Sequence, residues 1–344
     1  SVAGILLLWL PRSYVLGSFT HDSFLAQVVS ETFALAMWWA LVEWDASPSV
    51  PPLAVFALCG AAAFLTWPIW IGPPILALIV IVVWRQGVTW GKRVLTVAAA
   101  VGPVALVATA YTIARLTWTA IVRTSGAVVA PSPATVGWTF IVLATFGLAA
   151  ALTSRRQRVT VVLLGAMALQ AVVLFAIATS AGAHTPYLAY KMAYLAVYPL
   201  AVLAIGGVAV GLAWVDRATS RHWNNRLAAI ASVSGSATVI AAWLVAAAIG
   251  VVAMRSELRA PAPTPVVSIP MQRAAQWLRA RGPVTCVDYI ADSWVTAYWL
   301  HVVELGNPRL SARTGDITDT DLYERSEAEW RWVDPHGPFQ FAIL

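Results

Sequence analysis

Tyr187, Tyr190, Lys191, Tyr194 and Tyr198 fall at offsets of 0, 3, 4, 7 and 11 along the chain. That spacing sets all five on one stripe of a helix. A lysine among phenols can hold a phosphate or a sugar phosphate, because its ammonium is a compact point charge with three donors. The stripe follows Ala183-His184-Thr185-Pro186, which reads as a helix start with Pro186 close to the first helical position. An aromatic belt with a snorkelling lysine is the alternative. It accounts for Tyr187 and Tyr190, but not for Tyr194 and Tyr198, which run deeper on the same face.

A second constellation is Arg12, His21, Asp22, Gln27 and Glu31. Gln27 and Glu31 are four apart and share a helix face. Glu31 would then lie about two turns into an apolar span, where a carboxylate must face the bundle interior or a wet cavity. His21-Asp22 reads equally as a helix N-cap. A third, weaker group is Trp67, Trp70, Arg115, Trp118 and Arg123, in or near loops, where Arg115 and Arg123 could receive an anionic headgroup. With 18 tryptophans in the chain, any single one reads as interfacial. Gly315–Asp321 carries three aspartates but lacks EF-hand spacing. Phosphate-loop, dinucleotide-loop, paired-CxxC and HExxH motifs are absent from the sequence, and no metal ligand set or other cofactor signature is evident.

The elements that position these residues follow from composition. The chain has 344 residues, of which 60% are hydrophobic and only 11% charged, with a mean hydropathy of +0.74. Soluble chains carry about 25% charged residues, so a soluble enzyme or a disordered regulator is excluded. Lys and Arg total 22 against 16 Asp and Glu, an excess that reflects positive loops on one side of a membrane rather than nucleic-acid binding. Runs long enough for a span occur at 1–10 (cut short), 24–43, 51–67, 71–84, 94–114, 137–153, 159–181, 187–214 and 227–254. The fold expected is a mostly α, polytopic bundle over 1–254. The run at 71–84 is either a full span after a tight turn or a re-entrant piece. The chain opens on Ser inside an apolar run and stops just after an expected strand, so we expect a fragment lacking its true N-terminus and clipped at its C-terminus.

Three basic loops set the orientation: Arg85, Lys92 and Arg93; Arg155, Arg156 and Arg158; Arg217, Arg221 and Arg226. Alternating spans place all three on one side, which the positive-inside rule makes cytoplasmic. The last span then delivers the remainder outside. Residues 255–269, with Ala260-Pro261-Ala262-Pro263-Thr264-Pro265, read as a stiff linker. Residues 270–344 read as a small extracytoplasmic α/β domain: helices at 271–281 and 293–305, strands at 284–290, 309–313 and 339–344. Cys59 and Cys286 lie in different settings and give no disulfide framework.

Taken together, a many-span bundle, the outer His21-Asp22, the turn Leu65-Thr66-Trp67-Pro68-Ile69-Trp70, the Tyr187-x-x-Tyr190-Lys191 helix start and a small outer domain resemble the GT-C superfamily. These are integral-membrane glycosyltransferases that use polyprenyl-phosphate sugars. The likeness covers most of the chain as architecture, on loose motifs. It is nearest to bacterial cell-envelope members, with the actinobacterial arabinofuranosyltransferases one branch suggested by the Ala-, Trp- and Arg-rich composition. The resemblance implies inverting transfer to a glycan, lipid or protein acceptor outside a plasma or inner membrane. An acidic residue of the first outer loop would act as base. That loop is expected upstream of this fragment, leaving Asp22 and Glu31 as assisting carboxylates. Lys191 and His184 become the foremost phosphate ligands, with Tyr187, Tyr190, Tyr194, His21, Arg12 and Arg115 as donor contacts. Some relatives use a divalent cation. Trp294, Tyr298 and Trp299 either grip an acceptor glycan or form the apolar face of their own helix. Two other classes stay open: a transporter or lipid flippase, and a non-catalytic membrane scaffold.

Overall fold

The computed structural model describes residues 2–11, 25–114, 130–183, 185–220, 234–258, 267–281, 287–290, 331–332 and 341–343. The chain forms two compact units, Ser1–Pro261 and Ala262–Leu344. The first is helical throughout its described residues: α1 (Val2–Leu7), α2 (Leu25–Ala46), α3 (Val50–Thr66), α4 (Gly72–Trp84), α5 (Trp90–Ala114), α6 (Pro133–Val136), α7 (Trp138–Leu152), α8 (Arg158–Ser180), α9 (Tyr187–Leu195), α10 (Val197–Ser220) and α11 (Ser234–Leu258). Among the described residues, three stretches are long and apolar enough to cross a membrane: Trp90–Ile113, Arg158–Ser180 and Tyr187–Leu212. Val50–Thr66, Pro68–Trp84, Trp138–Leu152 and Trp243–Arg255 are shorter apolar helices.

Among the described residues, the two largest of the core clusters hold this unit together. The larger gathers Met37 and Leu41 of α2, Phe56 of α3, Leu78 and Ile81 of α4, Leu163 of α8 and Met192 of α9. The smaller joins Leu7 of α1, Ala144 of α7, Ala204 and Val208 of α10 and Ala246 of α11. In the second group small residues bring backbones into contact, the usual device where lipid removes the hydrophobic drive between helices. A methyl added at Gly147 would overlap the carbonyl of Leu203, and one at Gly207 the carbonyl of Leu143. Gly250 seats Leu6 in the same manner.

The stretch at 51–84 is a hairpin, not one span. Pro68 has no N–H, and the residue before a proline is held out of the α region. So α3 ends at Thr66, Trp67 is extended, and a 3-10 turn, Pro68–Ile71, leads into α4, whose first turn holds a proline. The hairpin returns to the end of the layer it left. Arg85, just past α4, donates from Nη1 to the backbone carbonyl of Asp45 near the end of α2 (3.3 Å) and lies 3.6 Å from its carboxylate. Arg158, opening α8, grips the same carboxylate through Nε (2.6 Å) and Nη2.

The expected span at 187–214 is interrupted. Tyr187–Leu195 and Val197–Ser220 are separate helices with Ala196 between them. Pro186 is the N-cap residue of α9 rather than its first helical residue. The run at 1–10 gives only the six residues of α1.

The second unit contains α12 (Ile269–Ala280), capped by Ser268 Oγ, which accepts from the Met271 N–H (3.3 Å). It also contains β1 (Val287–Ile290), β2 (Arg331–Trp332) and β3 (Phe341–Ile343), in the order β2-β1-β3. β1 pairs antiparallel with β2, Tyr289 opposite Trp332, and parallel with β3, Asp288 opposite Ala342. The helix expected at 293–305 and the strand at 309–313 lie outside the described residues.

Candidate functional site

The Trp67-Pro68 turn is the structural centre of the site. The carbonyls around the end of α3 take their backbone bonds, from the Trp67 N–H to Ala63 (2.8 Å) and from the Trp70 N–H to Trp67 (3.3 Å), and neighbouring helices add side-chain donors to the same turn. Ser30 Oγ of α2 donates to the carbonyls of Ala63 (3.3 Å) and Trp67 (3.1 Å). Gln170 Nε2 of α8 donates to the carbonyl of Ile69 (2.8 Å). Gly72 makes room for that side chain, since a methyl there would collide with Gln170. The turn is therefore pinned from two sides, and the Trp67 ring has a fixed place.

Against it lies Lys191 of α9, only 4% exposed. Its Nζ sits 5.0 Å from the Trp67 ring centre and 4.3 Å from that of Tyr187. A cation over aromatic faces is attracted by their quadrupoles, more strongly where water is excluded. This overturns the snorkelling reading, because the side chain points into the bundle. Tyr194 is buried on the same helix, and Tyr190 is half-buried.

Next to Ser30 is Glu31, 2% exposed. Its Oε1 accepts from Gln27 Nε2 (2.9 Å) and its Oε2 from the Tyr198 hydroxyl (2.8 Å). A buried carboxylate requires such donors. Although the helix breaks at Ala196, Tyr198 still reaches inward and ties α10 to α2. Groups drawn from all three sequence constellations thus meet: Glu31 and Gln27, Lys191 with Tyr187 and Tyr198, and Trp67.

The indole N–H groups of Trp38, Trp67 and Trp70 are buried and meet no acceptor among the described residues, against one unmet acceptor, Gln27 Oε1. Such groups are costly to leave unpaired, and of the three rings it is Trp67 that lies against Lys191. Trp70, read as interfacial from sequence, is fully buried. Arg12, His21, Asp22, Arg115, Trp118, Arg123 and His184 lie outside the described residues. Among the described residues no group of three or more His, Cys, Asp or Glu could hold a metal ion.

Sequence reasoning missed the joining of Trp67 to Lys191 and the bond from Tyr198 to Glu31. It also missed the polar pins at Ser30 and Gln170. The available signal was Trp-Pro at a helix end, where Pro68 has no N–H to give the carbonyl four residues back. Comparison with protein-family models, curated proteins and solved structures gave no match to this chain. The functional reading rests on the site's own chemistry.

Proposed function

We propose that the chain is a GT-C type membrane glycosyltransferase that moves a sugar from a polyprenyl-phosphate donor to a glycan, lipid or protein acceptor of the cell envelope. The observation that supports this reading is the buried cation Lys191, seated against Trp67 and Tyr187, in the same helical unit as the buried Glu31 network. In the proposed reaction a carboxylate takes the acceptor hydroxyl proton, and the oxygen attacks the anomeric carbon. The bond from that carbon to the phosphate oxygen breaks, and the phosphate leaves with the electron pair. Lys191 meets the charge that develops there, the kind of stabilisation that is often the largest catalytic contribution. Tyr187, Tyr190, Tyr194, His184, His21, Arg12 and Arg115 contact the donor, and Asp22 and Glu31 orient the sugar or the acceptor. The bundle crosses a plasma or inner membrane about eight times. Residues 270–344 form a separate small α/β domain.

Binding of labelled polyprenyl phosphate to the purified protein tests this. Lys191→Met should weaken binding by about tenfold or more, the scale of a lost charged hydrogen bond. Equal binding would remove Lys191 from the donor site. One observation favours a transporter or lipid flippase: the apolar stretch Tyr187–Leu212 is kinked at Ala196, and irregular spanning helices are a feature of carriers. Flux of a labelled lipid in proteoliposomes without sugar transfer would decide for it.

A further inference from the structure

At the other end of α2, some 14 residues or about 20 Å beyond Glu31, the hairpin and the start of α8 close around Asp45. The carboxylate is 11% exposed, while the side chains of Arg85 and Arg158 that bracket it are 25% and 39% exposed. The anion is inside and the cations face outward. Arg93 of α5 donates from Nη2 to the carbonyl of Arg85 (2.7 Å), while its Nε is buried and meets no acceptor among the described residues. Lys92 and Arg155 are exposed at the same end, so among the described side chains five cations stand against Asp45 and Glu43. The turn between α4 and α5 is flanked by the exposed rings of Trp84 and Trp90, residues suited to headgroup depth. The Arg85 guanidinium also stacks 5.2 Å from the Trp44 ring centre, which fixes its plane.

We propose that this basic collar, formed by Arg85, Lys92, Arg93, Arg155 and Arg158, is a binding site for the phosphate of an anionic phospholipid in the leaflet that this end meets. The occupant follows from the pattern. Outward charge is positive, one guanidinium N–H is desolvated without an acceptor, and two tryptophans mark the depth at which lipid phosphates lie. Basic pockets between helices bind anionic headgroups in this manner. The inference does not depend on the glycosyltransferase reading.

Native mass spectrometry of the whole protein, released from detergent with phosphatidylglycerol or with phosphatidylcholine of the same acyl chains, tests it. Phosphatidylglycerol should be retained preferentially. The double variant Lys92→Gln/Arg93→Gln should lose that preference by about fivefold per charge removed. Because Arg93 also braces Arg85, a second variant, Lys92→Gln/Arg155→Gln, changes only exposed side chains and should reduce retention to a similar degree. Equal retention of the two lipids by the unmodified protein overturns the proposal. So does unchanged preference in both variants, or displacement of phosphatidylglycerol by inorganic phosphate.

Discussion

The bond between Tyr198 and Glu31 ties two halves of the first unit, and its removal should be measurable. Glu31 is 2% exposed and takes one hydrogen bond from Gln27 (2.9 Å) and one from Tyr198 (2.8 Å). Tyr198→Phe removes a donor from a buried carboxylate. Hydrogen bonds to charged groups contribute about 1.5–3 kcal/mol in soluble proteins. Those between membrane helices average about 0.6 and reach about 1.7 kcal/mol. The depth of this pair and its charge argue for the upper part of the second range, about 1.5 kcal/mol. Glu31→Leu should cost a similar amount, because it strands the Tyr198 hydroxyl and the Gln27 amide. The double variant should then cost about what either single one does, a coupling on the order of 1–1.5 kcal/mol. Unfolding of detergent-solubilised protein, followed by tryptophan fluorescence, reads all three. If the two costs simply add, to within about 0.3–0.5 kcal/mol, the pair does not hold α10 to α2 and the reasoning is refuted.

Other outcomes follow from the same contacts. Gly147→Leu should push α7 off α10 at Leu203 and destabilise by about 1–3 kcal/mol, whereas Gly165→Leu, where nothing lies within 4 Å, should be near neutral in the same assay. Arg158→Gln should lower stability by about 1–3 kcal/mol by weakening the clasp on Asp45, and Asp45→Asn in that background should recover part of the loss. With Cys59 and Cys286 replaced by Ser, a cysteine introduced by Gly182→Cys should react with a membrane-impermeant maleimide on intact cells, and one introduced by Ser154→Cys should not. Labelling of both or neither contradicts the proposed orientation.

Much of the helical layout is legible in the sequence, because apolar runs bounded by Pro, Gly and Arg leave few choices. The Gln27–Glu31 pair is legible too, since residues four apart on a helix must meet. The breaks are harder. Tyr194 and Tyr198 keep helical spacing across Ala196, so the stripe alone hides the kink there; its cause is Pro199, which has no N–H and crowds the carbonyl of Leu195 four residues earlier. Trp67 shows the deeper reason. Whether a tryptophan after a helix end lies in an interface or packs on a lysine more than a hundred positions away is decided by tertiary packing. No local pattern carries that information. The clasp of Arg158 on Asp45 is of the same kind: Arg158 reads as one of three arginines in a basic loop, and its partner 113 positions earlier is set only when α2 and α8 are brought together.

The most direct measurement is transfer itself. Membranes or proteoliposomes carrying the whole protein, given a radiolabelled polyprenyl-phosphate sugar, should pass label to an envelope acceptor. Lys191→Ala should cut that transfer by about 10²-fold or more while the protein stays folded. Undiminished transfer by a folded Lys191→Ala protein would contradict the account.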